Sequence, residues 1–461
     1  MLFNSFEYFI FLPIVFFGYW FLFTKLHIQN LFIVAASYFF YACWDWRFLS
    51  LIIITTISSW WAGKWMERLD KQPAKRKAVN IANISLNLVI LAIFKYYGFF
   101  ADSLASLLLA FGMRTDFPTL HLILPVGISF YTFQAVGYSI DIYRRKIAAT
   151  DDPIAFAAFI CFFPQLVAGP IESASHLLPQ ITQKRKFCYN AAVNGCRLIL
   201  WGLFKKMVVA DNCAVTVDMV WNDYAHFSSP VLAITSILFA IQIYCDFSGY
   251  SDIAIGTAKL FGIDLVQNFR RPYFSTDIRE FWRRWHISLM TWFREYIYIP
   301  LGGSRGSRWL TIRNTYIVFL LSGLWHGANW TFIAWGAYHA LLFTPAILFG
   351  KKIKNTLLTF IAVTFGWIIF RAPDLESAVG YVTRMLTAPI DLNDFSGITA
   401  IGVSIVCMAA EWLTRRKEHV LDMLETKFFR FAWVRAIVYY VILVSLCELS
   451  ARQESFIYFQ F

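Results

Sequence analysis

Two histidines stand where an imidazole can do acyl or proton chemistry. His326 closes the apolar run YIVFLLSGLW, with Gly323 and Gly327 beside it and Asn329 and Trp330 just after. Glycine has no Cβ, so a second backbone or a ligand can approach closely there, or the helix can break. A neutral imidazole in such a run suits a general base; a core histidine with its hydrogen bonds satisfied is the competing reading. His286 sits inside Asp277–Tyr298, a segment rich in arginine and tryptophan. At 100° per residue, Phe281, Trp292, Trp285, Tyr296, Leu289, Trp282 and Phe293 fall within about one third of a helix circumference. Arg283 and Arg294 fall opposite. That pattern predicts an amphipathic helix in the headgroup plane, with His286 at the edge of its apolar face. The imidazole then either points inward to a reacting group or serves an interfacial anchor. His339, in AWGAYHALL, reads as packing or as support for a neighbouring site.

Other polar groups interrupt apolar sequence nearby. Asp246 and Asp252 flank Phe247-Ser248-Gly249-Tyr250-Ser251 at the end of an apolar run. They read either as a capped helix end or as a polar lining, with Ser248, Tyr250, Trp325 and Asn329, that fixes a substrate or orients a histidine. Asp141, Tyr143, Arg144 and Arg145 mark a helix border, and Asn268-Phe269-Arg270-Arg271-Pro272-Tyr273 can meet acidic headgroups or a phosphate-bearing donor.

Several familiar site patterns fail. Gly302-Gly303-Ser304-Arg305-Gly306 satisfies GxSxG without the strand that a nucleophile elbow requires. There is no HExxH for zinc and no GxxxxGK[ST] phosphate loop, and no histidine is followed by aspartate five positions later. The eight cysteines form no CxxC pair, so disulfide frameworks and zinc ribbons are not expected. No metal is required by any of these constellations.

Elements that position such residues must be membrane helices. The 461 residues are 58% hydrophobic and 15% charged, against about 45–50% and about 25% in ordinary globular chains. So few charges cannot cover a soluble surface, and disorder and nucleic-acid binding are excluded on the same ground. The net charge of +12 fits cytoplasmic loops and anionic lipid, and secondarily an anionic substrate. Apolar runs near 1–23, 30–43, 48–63, 80–100, 118–140, 154–169, 196–221, 229–245, 312–325, 328–349, 356–370, 397–413 and 431–448 predict about ten to twelve spans. Several runs are short or broken by Gly or Pro, which predicts re-entrant helices around a cavity. The first run reads as a retained helix, because a basic region and a cleavage site are lacking. Lys64, Arg68, Lys71, Lys75, Arg76 and Lys77, then Arg144, Arg145 and Lys146, belong inside by their charge, which puts the N-terminus outside. Lys184, Arg185 and Lys186 also belong inside, so 154–169 reads as re-entrant. No internal repeat of the transporter type is evident. The whole chain, 1–461, reads as one multi-pass domain with its catalytic core at about 118–345.

The central segments resemble the membrane-bound O-acyltransferase family, in its bacterial alginate O-acetylase branch. The matching pieces are LPVGISFYTFQAVGYSIDIYRRK (124–146), FFPQLVAGPIE (162–172), DFSGYSDIAIG (246–256), NFRRPYFSTDIREFWRRWHISLMTWFREYIYIPLGGSR (268–305) and SGLWHGANWTFIAWGAYH (322–339); the opening MLFNSFEYFIFLP and the closing GWIIFRAPDLESAVGY also match. The resemblance implies an all-α membrane fold around a funnel or tunnel joining the two membrane faces. It implies His326 as catalytic histidine and His286 as its partner. It further implies transfer of acetyl groups from a cytoplasmic donor, acetyl-CoA, toward a polysaccharide outside, with periplasmic acetyltransferases completing delivery. Basic loops at Arg144–Arg145 and Lys184–Arg185–Lys186 would then steer the CoA phosphates. Alginate is the first acceptor to consider, then peptidoglycan or a cellulose-like polymer. D-alanyl transfer to teichoic acid, a proton-coupled transporter and a scaffold for polymer export are the rival functions.

Overall fold

On some helices polar residues turn inward and aliphatic ones outward, around an interior otherwise filled by aromatic and aliphatic side chains. The computed structural model describes every residue except 114–121, 168, 351–353, 393–394, 427–430, 452–455 and 458–461. Among the described residues the elements are helices, with no strand. They divide into two compact units: 1–187 with 261–265 and 327–329, and 188–260 with 266–326 and 330–461.

In the first unit, α1 (Phe6–Phe17), α2 (Leu26–Asp45), α3 (Leu49–Arg68), α4 (Pro73–Lys95) and α5 (Tyr97–Ala110) precede α6 (Ile128–Tyr143), α7 (Pro153–Cys161), α8 (Phe163–Leu166) and α9 (Ala174–Thr182). Helix α4 shows the inversion most clearly. Asn80, Asn83 and Asn87, spaced along one face, are buried, while Ile81, Leu86, Leu88, Val89 and Ile93 are exposed. The asparagines find partners on neighbouring helices: Ser139 Oγ donates to Asn80 Oδ1 at 2.9 Å, and Asn83 and Asn87 reach Ser59. Helices in lipid gain nothing by burying leucine against leucine, so polar groups and close packing hold them together. Helix α7 has 9 residues, about 13.5 Å of rise, which is too short to span. Its buried sequence and the break at Phe162 agree with a re-entrant segment. The run expected from 118 begins with residues outside the described ones, and its helix is α6.

The second unit holds α10 (Tyr189–Leu203), α11 (Asp211–Asn222), α12 (Ser229–Leu260), α13 (Ile278–Arg284), α14 (Ile287–Phe293), α15 (Arg308–His326), α16 (Trp330–Phe349), α17 (Thr356–Arg371), α18 (Leu375–Thr387), α19 (Ile398–Leu413) and α20 (Ala432–Glu448). Glycines seven residues apart set the α10–α12 contact. A Cβ on Gly202 would lie 2.6 Å from the Gly249 carbonyl oxygen, and one on Gly195 2.6 Å from that of Gly256. The antiparallel pairing 195–256 and 202–249 therefore exists only because both helices lack side chains there.

Four helical stretches are long and apolar enough to cross a membrane, Leu26–Arg68, Pro73–Lys95, Ser229–Leu260 and Trp330–Phe349, and Phe6–Leu22, Tyr97–Ala110, Thr356–Arg371 and Ile398–Leu413 are shorter apolar helices. Fewer runs than expected from hydropathy are thus full-length helices. The rest are shorter helices, some buried in protein such as α7 and some with largely exposed apolar faces such as α5 and α20.

Candidate active site

His286 lies at a helix break, where the sequence pattern predicts a continuous helix over 277–298. Asp277 starts α13, its Oδ1 accepting from the Arg279 and Glu280 amides at 2.9 Å each. Glu280 reaches back to the Thr276 amide at 2.7 Å, so both ends of the first turn are satisfied. After Arg284 the chain leaves the helix, and His286 adopts φ +43°, ψ +54° before α14 begins. That left-handed conformation costs a non-glycine residue about 1–2 kcal/mol. Neighbouring backbone holds it in place. Ile287 N donates to Asn268 O at 2.9 Å, Ser288 Oγ donates to Asn268 Oδ1 at 2.6 Å, and Arg270 N donates to Arg284 O at 2.9 Å. Arg294–Tyr298 then continues as a π-helical turn. The 100° spacing was therefore the wrong geometry across residue 286, and the imidazole turns fully inward, 1% exposed.

There its ring meets Phe247 at 4.7 Å, Trp325 at 5.7 Å and Phe269 at 6.4 Å between centroids. Neither ring nitrogen has a hydrogen-bond partner among the described residues. A buried polar group left so costs about 1–3 kcal/mol, which favours a role toward a reacting group over an anchor.

His326 is the last residue of α15 and is 4% exposed. Its ring lies 5.1 Å from Trp325, 5.1 Å from Trp335 and 5.3 Å from Phe370. Trp325 thus touches both imidazoles and joins them in one aromatic cluster. Gly323 does admit a second backbone: a Cβ there would lie 2.1 Å from Phe332 O, and one on Gly336 2.3 Å from Phe319 O. These two contacts seat α16 against α15, so Trp335 reaches His326. His339 packs under the same cluster, 4.9 Å from Trp335 and 5.0 Å from Trp282. Asn329 is half-buried in the 327–329 turn, within the first unit.

Asp246, Ser248, Tyr250 and Asp252 do not cap a helix end; they lie within the unbroken 32-residue α12. Two lysines that the hydropathy pattern hides, Lys205 and Lys206, answer them from the π-helical Phe204–Ala210. Lys206 Nζ lies 2.9 Å from Asp246 Oδ1 and 2.8 Å from Asp211 Oδ1, and the Ile457 amide donates to Asp246 Oδ2 at 2.7 Å. Lys205 Nζ lies 2.6 Å from Asp252 Oδ2 and donates to Ser248 Oγ at 2.9 Å. Tyr250 stacks near Phe456 at 4.5 Å. Glu411 accepts from Tyr244 Oη at 2.8 Å. Adjacent lysines inside one apolar run and aspartates inside another were the available signal, since intramembrane charges pair.

Two cavities flank this cluster in the second unit. One, of about 780 Å³, has Lys205, Tyr244, Asp252 and Glu411 among its lining and Arg270, Arg283, Arg415 and Lys417 around it. Among the described residues none of those four cations has a carboxylate within ion-pair reach. Phe269, which lines it, also packs on His286. The other, of about 710 Å³, opens along α13, α14, α15 and α16. Ser304 lines it and lies 3.2 Å from Tyr298 Oη, in a loop preceded by the π-helical turn, so GxSxG is not a nucleophile elbow here.

The basic loops are placed in the first unit. Arg144, Arg145, Lys184 and Lys186 are exposed. Arg145 Nη2 lies 2.8 Å from Asp70 Oδ1, and its guanidinium holds that carboxyl below the usual range. Arg185 is buried, donating to Gln29 Oε1 at 3.1 Å and Asn30 Oδ1 at 2.5 Å, with its guanidinium 5.4 Å over Tyr19. That side chain ties a loop to α2.

Known proteins share much of this sequence. The family model for the membrane-bound O-acyltransferase family matches residues 38–369, which include both histidines. "Probable alginate O-acetylase AlgI" of Pseudomonas aeruginosa is 40% identical over 80% of this chain and 72% of its own length. The "Peptidoglycan O-acetyltransferase" of Helicobacter pylori is 34% identical over 90% of this chain and 83% of its own. The "Teichoic acid D-alanyltransferase" of Bacillus subtilis is 28% identical over 55% of this chain and 69% of its own. With a match over most of its length, an all-helical build and lipid-facing apolar helices, the chain belongs to the membrane-bound O-acyltransferase family and is a multi-pass membrane O-acyltransferase.

Proposed function

We propose that this protein moves acetyl groups from a cytoplasmic thioester, acetyl-CoA, toward a polysaccharide outside the bacterial inner membrane, with its N-terminus on the outer side. The observation that carries the reading is the single aromatic cluster holding two buried imidazoles, His286 and His326, on either side of Trp325. Relatives named for alginate and for peptidoglycan O-acetylation favour a polymer acceptor, alginate first and peptidoglycan or a cellulose-like polymer next. The D-alanyl reading has weaker support, because its relative matches a smaller share of the chain. A periplasmic acetyltransferase would take the acetyl group where the polymer itself cannot reach.

In this account His326 is the base. Its neutral imidazole takes the proton of the acceptor hydroxyl as the oxygen attacks the thioester carbonyl. His286 donates to, or orients, the oxyanion of the tetrahedral intermediate, a role that a buried donor performs best away from water. Collapse breaks the carbon–sulfur bond, and the imidazolium returns the proton to the departing thiolate. The surrounding tryptophans exclude the water that would hydrolyse the thioester. The donor's phosphates fit the cavity bearing Arg270, Arg415 and Lys417 better than the 144–146 and 184–186 loops, where Arg145 and Arg185 already have partners.

Ester analysis of surface glycans in cells with and without the protein tests the reading. Loss of O-acetyl groups from one polymer is expected. An unchanged ester content on every surface glycan, or loss of D-alanyl esters instead, would overturn it.

A further inference from the structure

The 710 Å³ cavity is assigned no step in the transfer described above and shares only Arg283 with the donor's cavity. Its lining brings together Arg279, Arg283, Arg294 and Arg308 and, among the described residues, contains no aspartate or glutamate. None of the four makes an ion pair among the described residues; Arg308 Nη1 donates to the Leu348 carbonyl at 2.8 Å. Arg283, Arg294 and Arg308 are exposed, so water screens their mutual repulsion, but the concentration of positive charge still favours an anion between them. Their forked donors match phosphate oxygens in pairs. The remaining wall is mixed: Thr291, Tyr298, Ser304, Thr311 and Thr315 add hydroxyls that can donate to an anion, and the rest is apolar.

Trp282, Phe319, Phe343 and Ile347 supply apolar surface to the same cavity. A free phosphate or a sugar leaves that surface unused. A ligand with an anionic phosphodiester at one end and hydrocarbon at the other satisfies both halves. In a chain whose helices expose leucine and isoleucine to lipid, such amphiphiles surround the protein. We propose that this cavity is a binding site for an anionic phospholipid, with its phosphodiester among Arg279, Arg283, Arg294 and Arg308 and its acyl chains along Phe319, Phe343 and Ile347.

The site is coupled to the imidazole cluster through shared side chains. Trp282 lines the cavity and stands 5.0 Å from His339 and 5.6 Å from Trp335. Phe319 lines it and lies parallel to His339 at 6.1 Å. Trp335 is 5.1 Å from His326. Lipid in the cavity therefore braces the rings that fix the His326 imidazole, so anionic lipid should raise turnover as well as bind.

The test uses the full-length protein, stripped of lipid in detergent and titrated with short-chain phosphatidylglycerol, phosphatidylcholine or inorganic phosphate, with binding read by native mass spectrometry. Phosphatidylglycerol should occupy one site saturably, and the Arg279→Gln/Arg294→Gln double variant should weaken it at least tenfold. The Arg279→Lys/Arg294→Lys variant, which keeps charge and loses the fork, should fall between. Equal melting temperatures in all three exclude misfolding. Phosphatidylcholine should not compete, and millimolar phosphate should compete poorly. Equal binding by the wild type and the Gln variant would overturn the proposal. Displacement of the lipid by phosphate would show a site for the anion alone, and displacement by coenzyme A a donor site; either also overturns it.

Discussion

Replacing His286 with glycine separates what the imidazole does from what the backbone requires. The backbone gains, because glycine adopts the left-handed conformation at φ +43° without the cost of about 1–2 kcal/mol that a side chain incurs. Two buried nitrogens without partners among the described residues are also removed, relieving about 1–3 kcal/mol each. Against this stands the cavity left between Phe247, Phe269 and Trp325, about 3–5 kcal/mol for deletion of a large ring and less for an imidazole. The opposing effects nearly cancel, so His286→Gly should melt close to wild type. It should be no less stable than His286→Ala, which leaves the same cavity and keeps the backbone strain; glycine's extra unfolded-state freedom narrows the gap by about 0.5–1 kcal/mol. Activity should behave differently. Loss of a positioned acid or donor lowers turnover roughly 10²–10⁴-fold, about 2.7–5.4 kcal/mol in barrier at 1.36 kcal/mol per tenfold. Thermal unfolding in lipid nanodiscs, paired with transfer of labelled acetyl groups, reads both. A glycine variant that keeps a third of wild-type turnover would remove His286 from the chemistry. One that melts far below the alanine variant would refute the account of the backbone.

Other substitutions probe the supports of the site. Lys206→Met leaves Asp211 and Asp246 buried without their shared cation, and should destabilise the fold by about 3–5 kcal/mol; adding Asp211→Asn and Asp246→Asn should restore much of that in the same melt. Gly323→Ala places a methyl where Phe332 O already lies, so α15 and α16 must separate, at about 1–3 kcal/mol, and turnover should fall because Trp335 shifts from His326. Arg415→Gln with Lys417→Gln should raise the donor KM several-fold and leave kcat nearly unchanged; an unchanged KM would remove that cavity as the donor's anchor.

Much of this architecture was readable from residue types. Composition alone demanded membrane helices, and the short interrupted runs foretold elements such as α7. The glycines around His326 announced a close backbone approach, which Gly323 provides. The break at His286 was hidden because nothing in WRRWHISL disfavours a helix locally; tertiary bonds from Asn268 and Arg270 impose it. Lys205 and Lys206 were hidden because hydropathy averages over a window, so two cations in the 196–221 run vanish among the aliphatic residues. Their partners, Asp246 and Asp252, drew notice as a helix end or a polar lining, not as partners of buried lysines. The cavities were out of reach for another reason: Arg270 and Arg415, or Arg279 and Arg308, are distant in sequence and meet only in the fold.

The most direct test of the central claim is acetyl transfer by purified His326→Ala protein in nanodiscs, with donor binding measured on the same sample. His326 as base predicts that turnover falls at least a hundredfold while donor affinity and melting temperature hold. Wild-type turnover from that variant would contradict the account.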